Sequence, residues 1–244
     1  GAGAIKLNGA GLAHADLSGS KLTADGGYGN SFIDFTEADL TNADLSGAEL
    51  TTITTGNYGS PTIDFTEAIL ANADLSGSML TADGGVNPLI DFTEADLTNA
   101  DLSASKLTAN STGNYGTSTI DFTEANLTNA GLRGSMLTAI SSSNYGSSTI
   151  DFTEATLANT DMSTSTLTAA GRRRTLIDFT EANLTNAGLR GSMLTADTII
   201  GLPSSSPSPP AAPSPPSPPS PPSPPPLSPP PPTPPPPSPS PPPP

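Results

Sequence analysis

The six-residue string Ile-Asp-Phe-Thr-Glu-Ala opens at Ile33, Ile63, Ile90, Ile120, Ile150 and Ile177. The spacings are 30, 27, 30, 30 and 27 residues. A self-similar period of this size predicts a stack of supersecondary units, each burying its apolar face only against its neighbours. A worn copy precedes the first string: Ile5-Lys6-Leu7 stands where Ile33-Asp34-Phe35 stands one unit later. Seven units are expected, from about residue 4 to about residue 200. The chain therefore divides into a repeat body, 1–202, and a tail of different material, 203–244.

Inside each unit a second period runs. A large apolar residue recurs every five positions, as in Phe35, Leu40, Leu45 and Leu50, or Phe179, Leu184, Leu189 and Leu194. Two positions earlier stands Ile33, then Ala38, Ala43 and Ala48. A period of five matches neither the 3.6 of a helix nor the 2 of a strand. It suits a chain that runs straight briefly, turns a corner and repeats. Ala38-Asp39-Leu40-Thr41-Asn42 and Ala43-Asp44-Leu45-Ser46-Gly47 resemble the pentapeptide-repeat motif, and the resemblance covers nearly all of residues 4–197. It implies an all-β fold, a right-handed quadrilateral β-helix with four pentapeptides per coil. The Leu or Phe and the small residue before it would point inward, and the other three outward. This chain departs from the family in its inserts of seven to ten residues after each fourth side, such as 54–59 and 83–88. Their Gly, Asn and Pro residues predict loops stacked along one edge.

The physics agrees with that implication. A thin solenoid must alternate large with small inward residues. About 28 inward Leu, Phe and Met sites at roughly 1.5–3 kcal/mol each provide ample gross burial, most of it offset by ordering entropy. Seven coils at the β-sheet spacing of about 4.8 Å would make a body about 34 Å long.

From Pro203 to Pro244 the chain is Pro and Ser, with Ala211, Ala212, Leu227 and Thr233 as the exceptions. Proline fixes φ and removes the amide donor, so polyproline II is expected, at about 3.1 Å per residue. The Ser-Pro-Pro and Thr-Pro-Pro-Pro-Pro runs resemble the hydroxyproline-rich glycoproteins of plant and green-algal walls, extensins and volvocine matrix proteins among them. That resemblance implies prolyl hydroxylation and covalent O-glycans, with Pro209, Pro210, Pro215, Pro216, Pro218, Pro219, Pro221, Pro222, Pro229, Pro230, Pro234 and Pro235 as candidates. A plain linker, or a ligand for domains that read proline-rich motifs, is the alternative. The tail lacks the Arg or Lys that often flanks such ligands.

The chain has no Cys, which excludes a disulfide framework and thiol chemistry. It has no apolar run of membrane-spanning length, and no signal peptide is visible in it. Asn110, Asn126 and Asn183 head N-glycosylation sequons, which with the tail favour secretion to a cell wall or extracellular fibril. The net charge of −15 lies on the body and argues against a nucleic-acid partner, which would need a basic face. No cofactor is expected.

Stacking turns each outward position into a ladder. Asp34, Asp64, Asp91, Asp121, Asp151 and Asp178 form one row; Glu37, Glu67, Glu94, Glu124, Glu154 and Glu181 form another. Such carboxylates could bind structural Ca²⁺, which takes oxygen ligands, or serve as a solvated acidic face. No dedicated calcium-loop pattern is present. On the fourth side Met79, Met136 and Met193 face outward, as does Ile69 on the second. They are either scattered exposed apolar groups or a docking strip for a neighbour or the tail. Tyr28, Tyr58, Tyr115 and Tyr145 line the loop edge, suited to loop packing or to sugar stacking. Arg172-Arg173-Arg174 is a solvated loop, or a partner for a neighbour's acidic face. His14 reads as structural.

Every carboxylate pair recurs coil after coil, whereas an enzyme needs one place that differs. The stack ends at Thr198-Ile199-Ile200-Gly201, and open coil edges invite pairing with another subunit. Ile199 and Ile200 are thus interface candidates, and the expected partner is a second copy. The leading expectation is an extracellular structural glycoprotein that stacks head to tail into a fibril, linked by its tail. Two alternatives stand beside it. Some pentapeptide-repeat proteins mimic DNA and inhibit type II topoisomerases, which suits an acidic body. An ice- or glycan-binding module would use the ladder Thr36, Thr66, Thr93, Thr123, Thr153 and Thr180, although Asp and Glu rows flank it.

Overall fold

The computed structural model describes residues 3–202. The tail, with its candidate prolines, lies outside the described residues. The corners determine the rest of the fold. After each inward Leu or Phe the chain reverses in a tight turn: Ala38 N–H donates to Phe35 C=O at 2.9 Å, and Ala43 N–H to Leu40 C=O at 2.9 Å. The residue before each closing amide has positive φ: 57° at Glu37, 56° at Asn42 and 62° at Gly47. A turn with φ > 0 at its third residue suits Gly and Asn, and those residues fill the second and third corners of most coils. His14, with φ 60°, is one of these corner residues and is exposed.

Three such corners and the loop edge give each coil four sides. The first side forms an all-parallel sheet of eight strands, running from Gly3–Lys6 through Ser31–Asp34, Pro61–Asp64, Leu89–Asp91, Ser118–Asp121, Ser148–Asp151 and Thr175–Asp178 to Thr198–Ile200. The fourth side forms a parallel sheet of seven, from Lys21–Asp25 to Met193–Thr195. The second and third sides pair through single parallel bridges, such as Asp39 with Ile69 and Asp44 with Asp74. The result is an all-β parallel solenoid of about six turns with no helix among the described residues.

The core is one continuous column. Phe35, Phe65, Phe92, Phe122, Phe152 and Phe179 are fully buried, and their rings stack face to face at 4.8–5.0 Å with interplanar angles of 0–4°. That distance is the coil spacing itself. Beside them run the Ile33, Leu40, Leu45 and Leu50 columns and the small Ala38, Ala43 and Ala48 positions.

The inserts differ from the expectation of plain loops. Thr54, Asp83 and Gly84 lie in strands, because the fourth-side strands run on through Glu49–Thr54, Met79–Gly84 and Lys106–Ser111. The first-side strands likewise begin early, at Ser31 and Ser118. The extensions turn Thr52, Thr54, Ser31, Ser111 and Ser118 inward. There several of the hydroxyls tie one sheet to the other, although Thr52 Oγ1 has no partner: Ser31 and Thr54 hydroxyls lie 3.3 Å apart, and Ser148 Oγ donates to Ala170 C=O at 2.8 Å. Only the remainder of each insert forms the loop edge.

Candidate functional site

The acidic rows are built by the corners. Asp34, Asp64, Asp91, Asp121, Asp151 and Asp178 stand in register on neighbouring strands. Each is half-buried. Oδ1 of each accepts the backbone N–H two residues on, at 2.8–3.1 Å, so each Asp caps its own corner. Asp39, Asp44, Asp74 and Asp101 do the same on the other sides. Glu37, Glu67, Glu94, Glu124, Glu154 and Glu181 occupy the left-handed corner positions and are exposed. Among the described residues, no three His, Cys, Asp or Glu side chains converge to hold a metal ion.

The local environment splits these carboxyls. Burial pushes the Asp121 carboxyl up, and the flanking Asp91 and Asp151 charges add to the rise, against the Thr123 hydrogen bonds. The Asp16, Asp39 and Asp161 carboxyls are held below the usual range, chiefly by the hydroxyls of Ser18, Thr41 and Ser163. Two members of the first-corner Thr ladder are engaged the same way, since the Thr123 and Thr153 hydroxyls donate to Asp121 and Asp151 at 2.6 Å.

Met79, Met136 and Met193 are exposed on the fourth side, Met193 most, at 63 %. They alternate in one register column with Lys106 and Thr166. Ile69 is exposed between Asp39 and Asp96. Beside the Met column runs a second hydroxyl ladder, which sequence reasoning missed: Thr23, Thr51, Thr81, Thr108, Thr138, Thr168 and Thr195 in continuous register. Its signal was available, as each follows the fourth-side Leu.

The loop edge packs on itself at its later coils. Tyr115 and Tyr145 stack at 5.2 Å, and the Arg173 guanidinium lies 5.4 Å from the Tyr145 ring centre. Arg172 Nη1 donates to Asn144 Oδ1 at 2.5 Å. The basic cluster thus sits on the preceding loop of its own chain. Tyr28 and Tyr58 remain almost fully exposed. Arg174 lines a shallow concavity with Ser147, Thr149, Thr175, Leu176 and Thr198.

The three sequons differ. Asn110 donates to Asp83 Oδ1 at 2.7 Å, and Asn126 donates to Thr98 Oγ1 at 2.9 Å; both are half-buried. Asn183, in the last coil, is exposed, and its Oδ1 accepts both Thr185 groups. An asparagine ladder also emerges at the second corner: Asn99, Asn129, Asn159 and Asn186 each donate to the Asn one coil back, at 3.1–3.2 Å.

The two end coils stand apart from the interior. Ile5, Leu7, Leu12, Leu17 and Leu22 at one end, and Leu184, Leu189, Leu194 and Ile199 at the other, are only partly buried, while their interior counterparts are fully so. Ile200 is exposed.

Comparison with known proteins accords with the repeat geometry. The model for pentapeptide repeats matches in eight copies, with residues 31–52 matched. Among solved structures the chain is similar to HetL, a pentapeptide repeat protein involved in heterocyst differentiation regulation from the cyanobacterium Nostoc sp. strain PCC 7120. The identity is 20 %, over 75 % of this chain and 88 % of that one, with a TM-score of 0.24. It is also similar to a pentapeptide repeat protein of the Arabidopsis thaliana thylakoid lumen, at 26 % identity, 52 % and 70 % coverage and a TM-score of 0.23. QnrB1, a plasmid-mediated fluoroquinolone resistance protein, matches at 15 % identity, 71 % and 91 % coverage and a TM-score of 0.26. No curated protein sequence matches the chain.

Proposed function

We propose that this pentapeptide-repeat solenoid is a structural subunit, seven coils long, that stacks end to end with further copies in an extracellular or cell-wall fibril. The observation that carries the reading is the lower burial of the first and last described coils. Interior Leu40, Leu45 and Leu50 are buried to within 2 %, whereas Leu12, Leu17 and Leu22, and Leu184, Leu189 and Leu194, stay partly exposed. Repeat stacks that remain single need polar capping units, and a parallel sheet edge presents unpaired backbone groups to any matching strand. The repeated interior ladders add support, since among the described residues their carboxylates recur from coil to coil rather than at one distinct place. The Pro/Ser tail, as a hydroxylated and O-glycosylated polyproline II segment, would link subunits along the fibril and keep neighbouring fibrils apart.

Sedimentation velocity and negative-stain electron microscopy test the reading, together with mass spectrometry of tail peptides from native material. Filaments and hydroxyproline glycans are the expected results. A monomer at all concentrations, with unmodified proline, overturns it.

A second reading rests on the exposed Glu corner row of a chain with net charge −15. A regular line of carboxylates could imitate a DNA strand and occupy a type II topoisomerase. A supercoiling assay separates the two, because a fibril subunit leaves the enzyme's rate unchanged.

A further inference from the structure

The two sheets do not have the same number of strands. The first side has eight and the fourth has seven. The extra strand is Thr198–Ile200, which pairs with Thr175–Asp178 in the register Leu176 with Thr198, Ile177 with Ile199, and Asp178 with Ile200. It lies over one side of the last coil only. The second and third sides at that end, at Asn183 and Gly188, and the fourth, at Met193–Thr195, have no further layer among the described residues. A second copy stacking in register would have to place its own first-side strand, Gly3–Lys6, where Thr198–Ile200 already sits. Plain end-to-end stacking is blocked by three residues.

We infer that the Thr198–Ile200 strand is a displaceable cap, and that the Gly3–Lys6 strand of a second copy takes its place against Thr175–Asp178. This rests on the stacking reading above. The registers match. Within its own chain Gly3–Lys6 pairs Ile5 with Ile33 and Lys6 with Asp34. Transferred to the far end, Ile5 lands on Ile177 in place of Ile199, one Ile for another. Lys6 lands beside Asp178 in place of the exposed Ile200, so the acidic row meets a cation where the cap offers an apolar group. The incoming coil also brings Leu12, Leu17 and Leu22 over Leu184, Leu189 and Leu194, which the cap leaves partly exposed. Exchange therefore swaps a strand of three residues for a whole coil.

Beyond its pairing with Thr175–Asp178 and the Asp197 N–H bond to Thr175 Oγ1, the cap has one tight place. Phe179 N–H donates to Ile200 C=O at 3.0 Å. Next to it Gly201, with φ 76°, lies so close to the Phe179 backbone that a Cβ there would sit 2.1 Å from the Phe179 carbonyl carbon. Only glycine fits. Gly201→Val should therefore free the cap without touching the coils beneath. The cap can also be locked. Leu176 and Thr198 are direct cross-strand neighbours facing outward, and the chain has no native Cys, so Leu176→Cys with Thr198→Cys gives a reducible staple.

The test uses the full chain in three forms: wild type, the oxidised staple, and Gly201→Val carrying Lys6→Cys and Asp178→Cys. Lys6 and Asp178 stand at opposite ends of one row, so a disulfide between them joins two copies. Far-ultraviolet circular dichroism verifies that each form keeps its β-structure. The expected result is a monomer for the oxidised staple, a shift to multimers on its reduction, and multimers of Gly201→Val that cross-link through Lys6→Cys and Asp178→Cys. Association of the oxidised staple equal to that of Gly201→Val overturns the cap alone. Association without that cross-link overturns the register and points to an end-to-end joint of another kind. Absence of association in all three overturns both the cap and the stacking reading.

Discussion

The Asp121 carboxylate accepts two hydrogen bonds from Thr123, the backbone N–H at 2.9 Å and the hydroxyl at 2.6 Å. An Asp corner cap and a like-charged row are thus the same residues, and the two demands conflict. Asp121 lies between Asp91 and Asp151 in register, and burial together with those charges raises its carboxyl. Its charged form is therefore a burden on the fold. A raised folded-state value contributes stability that is present below the unfolded value and lost as pH rises through the folded one. At neutral pH that contribution is gone. Asp121→Asn keeps the Oδ1 acceptor and removes the charge. Each of the two like-charged neighbours, about 5 Å away, repels by about 1 kcal/mol in water; solvent screening of the partly exposed row takes roughly half of that, so Asp121→Asn should raise Tm at pH 7 by about 2–4 °C. The gain should vanish as pH falls below the ordinary Asp range, where wild-type Asp121 is protonated. Asp161 gives the opposite sign. It bridges Gly131 and Gly188, without charged strand neighbours, and its carboxyl is lowered chiefly by the Ser163 hydroxyl. Its contribution is present above the unfolded value and lost on acidification, so Asp161→Asn should lower Tm at pH 7. Thermal melts across pH check both.

The phenylalanine column should be the most sensitive part of the core. Phe122 is fully buried between Phe92 and Phe152, with centroids at 4.9 and 5.0 Å. Phe122→Ala removes a ring from a closed column that cannot collapse around the gap, because the backbone ladder sets its spacing. The cost should be about 3–5 kcal/mol, read as a lower denaturant midpoint. Phe122→Leu should cost clearly less, since Leu7 already occupies the equivalent site beyond Phe35. Equal losses for Ala and Leu would contradict the column as the source.

Much of this core is legible in the sequence. The five-residue period marked Phe35, Leu40, Leu45 and Leu50 as one recurring set, and the pentapeptide resemblance implied both their inward orientation and four sides per coil. The inserts were misread for a physical reason. In Leu50-Thr51-Thr52-Ile53-Thr54 the strand points Thr52 and Thr54 inward and Thr51 and Ile53 outward. The polarity pattern therefore argues against a buried strand; the Thr54 hydroxyl is compensated by Ser31 across the sheets, while Thr52 Oγ1 is left without a partner. The Asp row was visible as a row, but its capping role needs the corner geometry. The asparagine ladder stayed hidden because its amides meet only across coils. The eighth first-side strand was hidden too, as Thr198-Ile199-Ile200 lacks the Asp-Phe-Thr-Glu-Ala context of its predecessors.

The Glu corners carry a backbone cost. Glu124 has φ 60°, a left-handed conformation that costs an ordinary L-residue about 1–2 kcal/mol and that Asn tolerates better. The second corner of the same coil uses Asn129 at φ 59°. Glu124→Asn should stabilise the solenoid by about 0.5–1 kcal/mol through backbone relief alone, and should do so equally at low and high salt. A gain that disappears at high salt would assign it to charge repulsion within the Glu row instead.

The last loop contacts can be read optically. The chain has no Trp and four Tyr, so its near-ultraviolet signal belongs to tyrosine and phenylalanine. Arg173 stands over Tyr145, which stacks on Tyr115, while Tyr28 and Tyr58 are almost fully exposed. Arg173→Ala removes a cation–π contact worth about 0.5–1 kcal/mol at an exposed site, and it leaves the coils beneath untouched. The expected result is a changed tyrosine circular dichroism band with a Tm lower by no more than about 4 °C. Arg174→Ala, one residue on and lining the concavity with Thr175 and Thr198, should leave that band unchanged. A change of equal size in both variants would mean that the loop responds to lost charge rather than to the lost stack.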